Sequence, residues 1–200
     1  MGKILITLKR NIEIFFESYF VSPFIAAILL TMVLTVILII VKKHTKRSIN
    51  ISPPKIFFVF ISFMYFCELF YITLFSRAGI HTDALSDVFG EWTIFDGETL
   101  IFMNVRPILN IVLFIPFCII IFSFANKILQ KSFTEKKEVL YSIPLSFLLS
   151  MFIELMQLIF SLGTFQLSDL TYNTVGGLIG ALIYISAKKF ISNKKLRVHK

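Results

Sequence analysis

Five long stretches of the chain are almost wholly apolar, and short polar segments separate them. They run Val21–Val41, Ile56–Phe75, Pro107–Asn126, Val139–Leu162 and Tyr172–Phe190. A helix needs about 20 apolar residues to cross the hydrocarbon core, so each stretch is predicted to be a transmembrane helix. Strands and loops are poor choices there, because every unpaired backbone group in lipid costs several kcal/mol. Ahead of the first stretch, Ile4, Leu8, Ile12, Phe15 and Tyr19 recur at three- and four-residue spacing, with Arg10, Glu13 and Glu17 on another face. That pattern predicts an amphipathic helix lying in the membrane interface. The expected fold class is therefore all-α: a polytopic membrane helix bundle of five transmembrane helices plus an N-terminal amphipathic helix. Residues 1–20 form the amphipathic segment, 21–190 the bundle and 191–200 a basic tail. Pro116 and Pro144, inside spans, predict kinks.

Composition agrees with this pattern. The 200 residues are 56% hydrophobic, with 24 phenylalanines and a mean hydropathy of +0.83, too little polar surface for a soluble domain of this size. The formal charge of +8 changes the picture only through its placement. Basic residues cluster beside apolar spans, as topology signals facing anionic lipid do, and nucleic acid is not an expected partner. Lys42, Lys43, Lys46, Arg47 and Lys55 follow the first span with no acid among them. The loop Ser76–Arg106 sets Arg77 and Arg106 against Asp83, Asp87, Glu91, Asp96 and Glu98, two positives against five negatives. The tail is again basic. The positive-inside rule then places the chain in the cell membrane with its N-terminus outside and its C-terminus cytoplasmic. Lys3, Lys9 and Arg10 run against that orientation. The interfacial helix accounts for them, and a re-entrant first span with residues 1–20 inside is the alternative.

Candidate chemistry lies in the polar residues that interrupt the spans. Glu68 stands seven residues before the outer end of the second span, and Glu154 eight before that of the fourth. At 1.5 Å per residue both lie about 10–12 Å below the outer boundary. Gln157 follows Glu154 at i+3, and Ser150 and Ser161 extend that face. Arg106 and Asn110 form an i, i+4 pair at the start of the third span, as do Asp169 and Asn173 at the start of the fifth. Charges within a bilayer are costly and usually face a partner or a water-filled cavity. The pattern predicts a polar pocket, open to the outer side, lined by Glu68, Glu154, Gln157, Asp169 and Asn173, with Arg77 or Arg106 near its mouth. Interhelical hydrogen bonding that binds the bundle together is the plainer account. For Gln157 and Asn173 the two readings weigh equally, and for two carboxylates at one depth function is favoured. Ser168-Asp169 also has the form of an N-cap, so Asp169 has a structural reading too.

Other features are structural. Gly176 and Gly180 form GxxxG, with Gly177 beside them, a motif of close helix packing. Cys67 and Cys118 fall inside spans with no zinc spacing and read as buried, reduced thiols. No HExxH, GxSxG or Walker motif occurs in the sequence, and no metal or cofactor is expected.

The order of "NVRPILNIVLFIPFC" (Asn104–Cys118), "ELMQ" (Glu154–Gln157) and "LSDLTYNTVGGLIG" (Leu167–Gly180) resembles the VanZ-like family. "YITLFSR" (Tyr71–Arg77) is similar to the family's Thr…Arg ending, and the resemblance covers roughly residues 56–184. It departs at Cys118, where the family often has Gly, and at Gln166, where a second acid often precedes the Asp. The family's recurrent polar positions fall here on Arg77, Asn110, Glu154, Gln157, Asp169 and Asn173. The resemblance implies a link to low-level teicoplanin resistance. The expected role is binding of an outer-leaflet lipid or a lipidated glycopeptide, with the cell-wall precursor machinery as a further partner. An enzyme modifying a lipid-linked envelope component, with Glu154 as acid–base and an Arg on a phosphate, and a proton-coupled transporter are the alternatives. Oligomeric state is left open.

Overall fold

The computed structural model describes residues 21–45, 52–75, 85, 87–90, 92 and 105–198. Among them are five α-helices and no strand: α1 Ser22–Thr45, α2 Pro53–Thr73, α3 Val105–Lys127, α4 Glu135–Phe160 and α5 Leu167–Val198. Helices α2 to α5 are long and apolar enough to span a membrane, and the described apolar run of α1 is Pro23–Ile37. The expected all-α membrane class is the one observed. The predicted segment Met1–Phe20 lies outside the described residues.

The helix ends follow local chemistry more closely than hydropathy does. Pro53 and Pro54 open α2, where their missing N–H groups would have had no intrahelical acceptor. Glu135 and Glu138 lie in the first turn of α4, favoured by the helix dipole. The C-terminus of α4 is closed by Ser161 at φ 53°, with the Leu162 N–H donating to the Gln157 carbonyl at 2.9 Å. The last helix begins at Leu167, five residues ahead of the predicted Tyr172, and extends to Val198. Its first turn, Leu167-Ser168-Asp169-Leu170, carries two polar residues that the hydropathy pattern assigns to a loop.

The chain divides into two compact units, Met1–Ser76 and Arg77–Lys200. In the first, α1 packs on α2, with Phe24 edge-on to Phe60 at 5.7 Å. Hydroxyls in this pair are satisfied within their own helices: Thr31 donates to the Ala27 carbonyl, Ser62 to Phe58 and Thr73 to Leu69. Between the two helices lies a cavity of about 600 Å³ walled mainly by aliphatic and aromatic side chains, with Cys67 and Tyr71 among them.

In the second unit α5 packs along both α3 and α4, which barely touch each other. Glycines make this possible. A Cβ on Gly176 would lie 2.3 Å from the Ile111 carbonyl oxygen, and one on Gly180 would lie 2.1 Å from that of Ile115. The GxxxG face of α5 therefore rests directly on the backbone of α3, as close packing in membranes requires. Gly177 faces the other way, where a Cβ would stand 1.7 Å from the Ser146 hydroxyl of α4. The face of α4 turned inward carries Glu138, Ser142, Ser146, Ser150, Glu154 and Gln157, all buried and spaced by four or three residues.

Candidate functional site

The α4–α5 turn gathers most of the polar residues singled out in the sequence. Glu154 is 2% exposed, and its Oε2 accepts from the backbone N–H of Gln166 at 3.0 Å. Gln166 immediately precedes α5, so its N–H belongs to the unsatisfied set at a helix N-terminus. A carboxylate from one helix thus caps the next, where the positive end of the dipole favours an anion. One turn into α5, Asn173 donates from Nδ2 to the Ser150 hydroxyl of α4 at 2.8 Å. Asp169 accepts at Oδ1 from Asn110 Nδ2 of α3 at 2.7 Å. Asp169 therefore lies inside the first turn of α5 and joins it to α3, so the N-cap reading does not hold. Gln157 is 3% exposed on the same face as Glu154.

Residues of the segment before α3 dock onto this end. Val88 accepts at its carbonyl from the Leu167 N–H, and Asp87 accepts at Oδ2 from Gln166 Nε2, both at 2.9 Å. The other Asp87 oxygen accepts from the Gly90 N–H at 3.2 Å, closing a turn in which Gly90 takes φ 71°. Trp92 completes the contact: its carbonyl accepts from the Tyr172 hydroxyl at 2.8 Å, and the two rings lie 6.3 Å apart. Gln166, which stands where the family often has a second acid, holds the acid Asp87 from the position just before α5.

Five of the predicted residues lie in the second unit at this end. Asn110, Glu154, Gln157, Asp169 and Asn173 share one end of the three-helix unit. Arg106 is exposed in the first turn of α3, one turn ahead of Asn110. Glu68 belongs to the first unit, on α2, half-buried beside Cys67. Arg77 lies outside the described residues. Both cysteines are free thiols, and among the described residues no cluster of His, Cys, Asp and Glu could hold a metal ion.

Sequence reasoning missed a second polar centre at the opposite end of α4. Glu138, 1% exposed, accepts at Oε1 from Lys188 Nζ at 2.7 Å. The same ammonium donates to the Phe133 carbonyl at 3.2 Å and lies 5.9 Å from the Tyr184 ring centre. Outside it, Lys189 pairs with Glu135 at 2.9 Å. This end of the unit therefore holds an ion pair whose carboxylate is buried and whose ammonium is partly exposed. The signal was present: Glu138 begins the four-residue stripe that runs through Ser142, Ser146 and Ser150 to Glu154.

The sequence profile of the family described as VanZ/LLP1 matches residues 24–188. The chain belongs to the VanZ family. Neither the curated proteins nor the solved structures contain a match. Within this VanZ protein three of the four quoted motifs fall on α3, on the end of α4 and on the start of α5. The motif residues Asn110, Glu154, Asp169 and Asn173 help to tie the three elements together.

Proposed function

We propose that this VanZ-family protein binds the polar head of an outer-leaflet lipid or a lipidated glycopeptide such as teicoplanin at the Glu154 end of the three-helix unit. Binding there lowers the drug's access to cell-wall precursors and gives low-level resistance. The reading takes the chain as a cell-membrane protein with its N-terminus outside and its C-terminus cytoplasmic. The basic residues following α1 and the basic tail support that orientation.

One observation carries the proposal. Asn173 Oδ1 and Ser168 Oγ are buried at this end and have no hydrogen-bond partner among the described residues. Buried polar atoms are nearly always bonded, so an orphaned acceptor and hydroxyl beside two carboxylates favour recognition of donor groups. The ammonium, hydroxyl and amide groups of an amphiphile's head supply such donors, while its acyl chain is suited to the apolar faces around them. Arg106 at the rim adds a cation for a phosphate or carboxylate. The enzyme and transporter readings find less support, because Glu154 is engaged as a helix cap and no nucleophile–base pair stands beside it among the described residues.

Glu154→Gln, Asp169→Asn and Asn173→Ala, each checked for expression, test this through teicoplanin susceptibility and cell binding of labelled drug. Increased susceptibility with altered binding is expected for at least Asn173→Ala. Unchanged values in all three overturn the reading. A new lipid or wall species in mass spectra, lost with Glu154→Gln, would replace it with the enzyme.

A further inference from the structure

The strap formed by residues 87–90 and 92 is fixed to α5 at two heights. Its upper end is held just ahead of the helix, where Asp87 accepts from Gln166 and the Val88 carbonyl from the Leu167 N–H. Its lower end is held by the Tyr172 hydroxyl, which donates to the Trp92 carbonyl. Between Leu167 and Tyr172 the helix rises about 7.5 Å. The apolar run of α5, Tyr172–Phe190, is about 28 Å long, close to the thickness of the hydrocarbon core. Tyr172 therefore marks the edge of that core, and its ring leans back toward the helix start. The interfacial layer outside the core is about 5–8 Å deep on each side. The strap thus crosses this layer alongside α5.

One side of the strap is packed against the helix. Gly90 lies so close to α5 that a Cβ there would be 2.1 Å from the Ser168 hydroxyl, and the Trp92 ring stands 6.3 Å from that of Tyr172. The other side is open, with Phe89 73% exposed and Trp92 50% exposed. Aromatic rings are favoured at this depth because their apolar bodies meet acyl carbons while polar edges stay wet. Charge does not supply the attraction. The loop Ser76–Arg106 carries five acids against two basic residues, which suits a zwitterionic surface better than an anionic one.

We infer that this strap is an interfacial anchor, with Phe89 and Trp92 seated among the head groups and uppermost acyl carbons of the leaflet beside the α4–α5 turn. The partner is the phospholipid surface of the protein's own membrane. The anchor holds the start of α5 at the bilayer surface whatever binds beside Glu154, so it is independent of the reading given to that site.

The test places the full-length chain in phosphatidylcholine nanodiscs containing photoreactive phosphatidylcholines. One carries a diazirine on the uppermost acyl carbons, another carries it at the chain end, and a water-soluble diazirine reports the aqueous side. Peptide mass spectrometry locates the adducts. Leu182, exposed on α5 about 15 Å beyond Tyr172, is the deep reference. Phe89 and Trp92 are expected to take the shallow probe, while Leu182 takes the deep one. Raising the salt should leave this pattern unchanged, because the contact is apolar. Phe89→Ser should move Trp92 labelling from the shallow to the soluble probe, and Phe89→Trp should keep it in the lipid. Labelling of Phe89 and Trp92 mainly by the soluble probe, or by no probe, overturns the inference. So does loss of the shallow labelling in Asn173→Ala, which would make the labelled lipid the occupant of the Glu154 site. If Phe89→Ser does not fold, the wild-type pattern decides alone.

Discussion

Glu154 shows how one side chain can look like chemistry and act first as structure. Its carboxylate accepts from the Gln166 N–H ahead of α5, so a helix terminus helps to stabilise the charge. Two substitutions separate charge from hydrogen bonding. Glu154→Gln keeps an acceptor and should lower thermal stability by at most about 1 kcal/mol, the helix-dipole contribution. Glu154→Ala removes the cap and should cost about 2 kcal/mol, since it strands a buried donor. Comparing their melting temperatures in one detergent checks this, and equal losses would mean that the charge dominates. The ion pair at the other end, buried on its Glu138 side, behaves differently. Lys188→Met leaves the Glu138 carboxylate without its cation, and about 2–4 kcal/mol should be lost, somewhat less than for a wholly buried pair because Lys188 is partly exposed. Glu138→Gln should be milder, and the double substitution should recover part of the loss in a mutant cycle.

Helix α5 is where small residues decide packing, and two of its faces do so against different partners. Gly176 and Gly180 meet the carbonyls of Ile111 and Ile115, which are backbone and cannot step aside. Gly180→Ala should therefore cost about 1–3 kcal/mol by forcing α3 away. Gly177→Ala meets a side chain, the Ser146 hydroxyl. It should lose a similar amount alone and regain much of it when combined with Ser146→Gly, a rescue that Gly180→Ala has no counterpart for. Unfolding of the single and double variants in parallel tests both statements. The apolar run of each helix could be read from sequence because length and hydropathy suffice for a span. Two features could not. The start of α5 was hidden because Ser168 and Asp169 are polar, although both sit within its first turn. The pairing of Glu138 was hidden because charges near span ends are read as loop charge, while only the three-dimensional partner, Lys188 fifty residues on, makes such a carboxylate tolerable inside.

For the molecule as a whole, the VanZ motifs trace the three-helix unit, and most of the polar residues picked out by depth lie together there. Asn110, Glu154, Asp169 and Asn173 were legible because polar groups in apolar runs are few and their helical spacing fixes a face. Their partners were not, because Ser150, the Gln166 N–H and the Asp87 turn carry no distinguishing hydropathy. That turn links the segment before α3 to the start of α5 through Asp87, Val88, Gly90 and Trp92. Gly90→Ala should loosen the link, since its φ of 71° disfavours a side chain and a Cβ would strike the Ser168 hydroxyl. Faster proteolysis between α2 and α3, with the helices intact by circular dichroism, is the expected result.

Trp92 is the sole tryptophan of the chain. It stands half exposed against Tyr172, at the end proposed to meet a head group. Its emission is consequently a built-in optical gauge of that end, free of added dyes. A molecule arriving at the Asp169 turn that shifts the strap on α5 would change the indole's contact with water and move its spectrum. Excitation of this one residue offers a way to screen amphiphiles on the unmodified protein.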